Sequence, residues 1–215
     1  MKYTRSNPSS RYQELQFMYR QLHEEGEKHL GMPPEKTFNG MSLVPQITRI
    51  KGLIGRTEAR TILDYGSGKG QQYSLPLRGN DGVEFESVMD FWQVDSVHCY
   101  DPAYAPFSTL PQGRFHGVVS TDVLEHCPEQ DIPWILDEIF GYAERFVYAN
   151  IACFPAQKRL PNGENAHCTI QPSPWWEQRV RDVAGRYPGV EWQIWVQTIE
   201  PGTDGSRLVE RCLQP

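Results

Sequence analysis

The sequence has no hydrophobic run near the roughly 20 residues that a membrane span requires, and its five cysteines show no C-x-x-C spacing. The first twelve residues, MKYTRSNPSSRY, are polar and lack the apolar core of a secretory signal. Basic residues are also in deficit, since 21 lysines and arginines face 27 aspartates and glutamates, giving a net charge of -6. These absences argue against a disulfide framework, a zinc knuckle, a membrane span and a general nucleic-acid binder. We therefore expect a cytoplasmic protein with reduced thiols, without nucleic acid or membrane among its partners.

Two stripes of apolar residues at helical spacing open the chain of 215 residues, of which 39% are hydrophobic. The first stripe begins after a capping serine, Ser9, and ends near Gly26. The second begins after Ser42 and stops at Gly55. These stripes predict two helices, which form an N-terminal helical cap over residues 1–57.

The remaining residues, 58–215, change to short apolar runs that end in turn residues, as the strands of a sheet do. Between them, residues 131–143 and 172–187 have helical spacing, and Ser173 is the predicted cap of the second helix. The predicted strands cover residues 61–65, 96–101, 115–120, 145–154, 190–199 and 207–214. This alternation predicts a single-domain α/β fold, Rossmann-like and doubly wound, with a mostly parallel sheet and an antiparallel terminal strand. Ligands of such sheets bind beyond the C-terminal ends of the strands.

A glycine-rich motif, LDYGSGKG, follows the first predicted strand. It is not a P-loop, because Lys69 precedes Gly70 and no serine or threonine follows to hold magnesium. It also departs from the dinucleotide pattern G-x-G-x-x-G, since Gln71 stands where the third glycine is required. The spacing D-x-G-x-G-x-G instead resembles the first motif of the class I S-adenosylmethionine-dependent methyltransferases.

Two further segments extend this resemblance over about residues 60–150. In that family an acidic residue at the end of the second strand binds both ribose hydroxyls, and Asp101 in VHCYDPAY fits this role. Asp90 is the rival, although no clear strand precedes it. The segment FHGVVSTDVLEH is similar to the D-x-L-E-H turn that follows a strand in many members. The resemblance implies that S-adenosylmethionine is the cofactor, bound by Asp64, Tyr65, Gly66, Ser67, Gly68, Gly70, Asp101, Pro102, Asp122, Val123 and Leu124.

The chain departs from the family pattern in the spacing on both sides of Asp101. Residues 76–95 look like an insertion, which we expect to form a hairpin. Only about fourteen residues separate Asp101 from the next strand at Phe115, so the third strand of the usual order is expected to be shortened or absent.

An acid–histidine motif, D-x-x-E-H, follows the third predicted strand, and a further histidine lies in the polar loop after the fourth. Small-RNA 2′-O-methyltransferases have E-x-x-E-H and a later histidine that bind a divalent ion. This resemblance implies a candidate metal site of Asp122, Glu125, His126 and His167, whose oxygen and imidazole ligands suit magnesium, manganese or zinc. Without a metal, His126 or His167 is the candidate catalytic general base.

The resemblance implies an enzyme that methylates a hydroxyl or amine of a small polar metabolite or sugar. Three alternatives stay open: another use of the same cofactor, such as cyclisation or a different alkyl transfer, a metal-dependent RNA 2′-O-methyltransferase, and a non-catalytic cofactor-binding module. The sequence names neither the acceptor nor the oligomeric state.

Overall fold

The computed structural model describes residues 2–79, 82–202 and 205–215. Its helices are α1 (Ser10–Glu25), α2 (Ile47–Thr57), α3 (Val88–Trp92), α4 (Ile132–Tyr142) and α5 (Ser173–Ala184). Its strands are β1 (Thr61–Tyr65), β2 (Leu77–Arg78), β3 (Glu84–Phe85), β4 (Ser96–Tyr100), β5 (Phe115–Thr121), β6 (Ala143–Ala152), β7 (Glu191–Gly202) and β8 (Gly205–Leu213). None of the described helices is both long and apolar enough to cross a membrane.

Six of the strands form one twisted sheet in the order β4-β1-β5-β6-β7-β8. The first five of these run parallel, and β8 pairs antiparallel with β7 at the edge. The order reverses between β1 and β5, which is the position where open α/β sheets bind ligands. The α/β, mostly parallel fold with an antiparallel terminal strand is therefore confirmed.

Both faces of the sheet are covered by helices, as a parallel sheet requires. Neighbouring residues of β5 show the alternation: Val118 packs into a cluster with α4 and α5, whereas Val119 packs with α2 and α3. Both valines are fully buried. This two-sided burial explains why β1, β5 and β6 read as continuous apolar runs in the sequence.

The predicted insertion forms the antiparallel hairpin β2–β3, followed by the short helix α3. Between β4 and β5 the chain makes only one short 3₁₀ turn, at Ala105–Phe107. Among the described residues no strand pairs with the outer edge of β4, so the expected loss of the third strand is confirmed.

Three predictions about helix ends are wrong, one on a C-terminus and two on N-caps. Helix α2 continues past Gly55 and ends at Glu58, which takes a left-handed conformation with φ 52°. The hydroxyl of Ser42 caps no helix and lies 3.3 Å from the carbonyl oxygen of Thr121. Helix α5 begins at Ser173 itself, after Pro172, so this serine is not its cap.

The N-terminal cap is fixed to the core by polar contacts from the segment before α1. Arg5 donates to both carboxylate oxygens of Glu138 on α4, one of them at 3.0 Å. The backbone N–H of Ser9 donates to Asp131 at 3.0 Å, and its hydroxyl caps α1 by accepting from Tyr12 N–H at 3.0 Å. These contacts position α1 above the C-terminal ends of the central strands.

Candidate functional site

A cavity of about 340 Å³ lies beyond the C-terminal ends of β1, β4 and β5. The first part of the glycine loop, residues 66–68, forms one wall, and the N-terminal cap forms another through α1 and residues 38–42. The cavity is continuous from Asp64 and Asp101 at one end to Asp122 and His126 at the other. It brings together most of the side chains that the sequence singled out.

The glycine loop is shaped by contacts within the protein. The N–H groups of Gly66 and Ser67 both donate to the carbonyl oxygen of Tyr100, at 2.7 and 3.1 Å. Gly66 has φ 84°, and a Cβ there would lie 2.4 Å from a methyl group of Val123. At Gly68 (φ 58°), a Cβ would lie 2.2 Å from the carbonyl oxygen of Phe38. Packing therefore requires glycine at both positions of the motif.

Two predicted cofactor residues do not line the cavity. Gly70 faces the Cys99 sulfur and the Phe107 ring, which a Cβ would meet at 3.0 and 3.1 Å. Leu124 is 1% exposed and packs in the main core. Its position follows from the short 3₁₀ helix at Leu124–His126, which turns this side chain away from the cavity. The other predicted cofactor residues line the cavity: Asp64, Tyr65, Gly66, Ser67, Gly68, Asp101, Pro102, Asp122 and Val123.

Asp64 presents an unused acceptor to the cavity. One carboxylate oxygen accepts from the Tyr73 hydroxyl at 2.9 Å and from the Gln72 amide at 3.1 Å. The other oxygen, Oδ1, is buried without a hydrogen-bond partner, and so is Oε1 of Gln72. Burial raises the pKa of Asp64 to about 7, although the hydrogen bond from Tyr73 opposes this shift. Both residues line the cavity, and their two unpartnered acceptors suit a ligand group with several N–H donors, such as an ammonium.

Asp101 faces the cavity across the glycine loop. Its oxygens accept from the backbone N–H of Gly68 at 3.0 Å and of Ala103 at 2.9 Å, which fixes the plane of the carboxylate. Burial raises its pKa, and these backbone hydrogen bonds oppose the shift. The rival, Asp90, is exposed on α3, where it accepts from the N–H of Glu86, and it does not line the cavity.

The cap adds functional candidates that sequence reasoning missed. The Nε2 of His23 lies 3.8 Å from Asp101, and its Nδ1 accepts from Lys69 at 3.0 Å. Burial, together with the charge of Lys69, lowers the pKa of His23 to about 3. The ring stacks on Tyr104 with centroids 5.0 Å apart. Its place on the apolar face of α1 was the available signal, and helical spacing alone does not separate a site histidine from a core one.

Three of the four predicted metal ligands meet at the other end of the cavity. One ligand atom each of Asp122, His126 and His167 lies within 4.8 Å of the other two. Asp122 is held in a left-handed conformation, φ 60°, and its Oδ1 lies 3.6 Å from Nε2 of His167. Glu125 does not join them, because it is buried and accepts from the N–H of Ala152 at 2.6 Å.

The hydrogen bonds of the two imidazoles determine their tautomers. Nδ1 of His126 lies 2.9 Å from the carbonyl oxygen of Ala166, and Nδ1 of His167 lies 2.6 Å from that of Phe154. Because a carbonyl oxygen only accepts, both Nδ1 atoms carry hydrogen. Burial lowers the pKa of His126 to about 4, so this ring is neutral at pH 7 and its Nε2 offers a lone pair, the arrangement typical of histidine ligands.

Asp122 is ionised beside these imidazoles. Burial by itself would raise its pKa, but His167 and His126 hold the pKa well below its usual range. The result is a carboxylate close to two imidazole nitrogens, with one ligand atom of each residue within 4.8 Å of the others. His126 also lines the cavity, whereas His167 is not among the described residues that line it. The ring of His167 packs edge-on against that of His126.

No family model and no curated protein matches the sequence. Among solved structures, the chain is similar to an O-methyltransferase family protein from Burkholderia thailandensis, with 12% identity and a TM-score of 0.48. The match covers 81% of this chain and 57% of that one, so the chain spans little more than half the length of this neighbour. The fold assignment rests on the strand order and register of the chain itself.

Proposed function

We propose that the protein is an S-adenosylmethionine-dependent methyltransferase that acts on a small polar molecule. The observation that carries this proposal is the pair of unpartnered buried acceptors, Asp64 Oδ1 and Gln72 Oε1, at the end of a cavity that also contains the Asp101 carboxylate. An amino acid with a ribose attached matches this set of groups: an ammonium for Asp64 and Gln72, and two vicinal hydroxyls for Asp101. The motif order in the sequence supports the same cofactor.

The residues of the chain would bind the cofactor, orient the acceptor and enclose both. When bound, S-adenosylmethionine supplies an electrophilic methyl group on a sulfonium sulfur. The cavity wall formed by α1 excludes water, and a fixed acceptor pocket aligns the nucleophile with the methyl group. When no cation is bound, Nε2 of His126 is the candidate group that accepts the proton of an acceptor hydroxyl or amine. The small volume and the wall formed by the cap favour a small acceptor over RNA.

Isothermal titration with S-adenosylmethionine and S-adenosylhomocysteine tests this proposal. We expect both to bind with micromolar dissociation constants, since both carry the ammonium and the ribose. If neither binds below millimolar concentration, the proposal is wrong. Incubation without an acceptor distinguishes the alternative chemistry, because cyclisation or another alkyl transfer releases methylthioadenosine, whereas methyl transfer requires an acceptor.

A divalent cation at Asp122, His126 and His167 is the second part of the proposal. It is supported by the convergence of one carboxylate and two imidazole nitrogens whose Nδ1 hydrogens are committed to backbone carbonyls. Two nitrogens and one oxygen suit zinc or manganese better than magnesium. A bound cation would hold an acceptor hydroxyl and lower its pKa.

We predict that His167→Gln weakens cation binding at least about 100-fold, since even loss of an outer partner of a metal ligand costs 10–100-fold. Zinc, manganese and magnesium are titrated into metal-free protein by calorimetry, and bound metal is quantified after gel filtration. The control is His29→Gln, because this histidine lies outside the cluster. Equal cation affinity in the His167→Gln variant and the wild type, or no cation binding to the wild type, would contradict the metal site.

A further inference from the structure

Lys158 is the only lysine or arginine among the described residues that line the cavity. It lies in the polar loop between β6 and α5, whose backbone is well fixed. The N–H of Ala166 donates to the carbonyl oxygen of Lys158 at 3.2 Å, and Asn165 bridges both backbone groups of Ala156 at 2.9 and 2.8 Å. The loop therefore presents the Lys158 side chain from a defined position.

The Lys158 ammonium has no hydrogen-bond or ion-pair partner within the part of the chain that the structure describes. Its one direct contact is with the ring of Phe38, whose centroid lies 5.2 Å from Nζ. Lys69, on the glycine loop, differs because His23 holds its ammonium through a carbonyl oxygen and Nδ1. Lys158 is a partly buried residue, and its ammonium keeps its donors available to a ligand, whereas buried charges are normally paired.

The charge of Lys158 acts at the acceptor end of the cavity. It contributes to the lowering of the pKa of both Asp122 and His126, whereas the charge of Lys69 acts on Asp101. Asp122 does not neutralise Lys158 by direct contact, because its carboxylate is turned to His167, 3.6 Å away. The Lys158 side chain thus lines the same cavity as the residues that would face the reacting group.

We propose that the acceptor carries a carboxylate, which the Lys158 ammonium binds while the acceptor hydroxyl or amine faces Asp122 and His126. This inference rests on the proposed function and names the substrate class of the same site. A monoanion fits better than a phosphate, because three aspartates line the cavity against one lysine and no arginine fork is present among the described lining residues. The ring of Phe38 covers one side of the bound ion pair.

Matched acids and amides test the subsite, because they differ in charge and little in shape. Glycolate, lactate and 4-hydroxybenzoate, each with its primary amide, are titrated by calorimetry with and without S-adenosylhomocysteine. We expect at least one acid to bind the wild type about tenfold or more tightly than its amide, the value of one charge-assisted hydrogen bond. In Lys158→Met this preference should fall below about threefold, and Lys158→Arg should retain it.

Lys36→Met is the matched control, because this exposed lysine lies outside the cavity and its replacement changes the net charge equally. It should keep the acid preference of the wild type. Equal acid preference in Lys158→Met and the wild type, or no preference for any acid in the wild type, would overturn the subsite. Separate titration of S-adenosylhomocysteine distinguishes this failure from that of the proposed function, since a protein that fails to bind it can still show the Lys158-dependent acid preference.

Discussion

Replacing Asp64 with asparagine is expected to weaken S-adenosylmethionine binding about 100-fold or more, with the fold retained. Asparagine keeps an oxygen for the Tyr73 hydroxyl, but it places an uncharged amide where Oδ1 would meet the ligand ammonium. Leaving one partner of a buried ion pair alone costs about 3–5 kcal/mol, which corresponds to this loss of affinity. Calorimetric titration measures the change. Asp95→Asn, an exposed residue outside the cavity, is the control and should bind as the wild type does.

The same carboxyl group predicts how binding depends on pH. In the free protein burial raises the pKa of Asp64 to about 7, so below pH 7 the group is protonated and the ligand ammonium must displace that proton. Affinity should therefore fall about tenfold for each pH unit below 7 and level off above it. In Asp64→Asn this dependence should disappear. A wild-type affinity that is constant between pH 5 and 8 would contradict the assignment of Asp64 to the ammonium.

Wild-type stability should respond to pH in the opposite direction. A carboxyl group with a raised pKa in the folded state binds more protons folded than unfolded between about pH 4 and 7, so its contribution falls as pH rises through this window. The Asp64→Asn variant lacks this loss of stability at high pH. Its unfolding temperature at pH 8 should therefore not lie below that of the wild type. A variant that unfolds well below the wild type at pH 8 would make the binding loss a folding effect.

Gly68→Ala is expected to lower the free energy of unfolding by at least about 3 kcal/mol. The residue has φ 58°, which costs alanine about 1–2 kcal/mol, and its Cβ would lie 2.2 Å from the carbonyl oxygen of Phe38. That oxygen also accepts from the N–H of Lys69 at 2.7 Å, so it cannot move without breaking the contact between cap and glycine loop. Urea unfolding measures the loss.

Gly55→Ala is the matched control for this substitution. The glycine lies inside α2, nothing stands within 4 Å of its Cβ position, and alanine should stabilise the helix by about 1 kcal/mol. If Gly68→Ala is as stable as the wild type, the cap does not rest on the glycine loop. A stable variant that still binds S-adenosylmethionine normally would also remove any role for the cap in shaping this end of the cavity.

Local patterns determined most of the fold. The apolar runs of β1, β5 and β6 were found because each of these strands is buried on both faces, so its composition is not diluted by exposed positions. In β4 and β7, more buried positions alternate with more exposed ones, which is the other pattern typical of strands. Helix boundaries were predicted less accurately where a residue can adopt either a helical or a helix-ending conformation. Gly55 was expected to stop α2, but the helix continues because its buried face extends to Ile54 and a left-handed residue ends it at Glu58. A glycine permits a helix end without requiring one.

The arrangement of the acid–histidine cluster could not be predicted from local sequence. Asp122, Glu125 and His126 are neighbours in sequence, yet the 3₁₀ turn directs Glu125 to the N–H of Ala152 and leaves the other two beside His167. The spacing D-x-x-E-H is compatible with either arrangement. The choice depends on the end of β6, where the N–H of Ala152 donates to the Glu125 carboxylate. These two residues are 27 positions apart in the sequence.

The sequence by itself determined the parallel sheet, the position of the glycine loop and the candidate cofactor carboxylates Asp64 and Asp101, since each follows from residue type at a strand end. Only the tertiary structure decided that the glycines accommodate Phe38 and Val123, that the cap forms a wall of the cavity, and that Lys158 lines the same cavity as Asp122. The physical reason is the sequence separation over which each interaction acts. Strand burial and turn chemistry act over a few residues, whereas a cavity wall is formed by contacts between segments far apart in the chain, which no local spacing records.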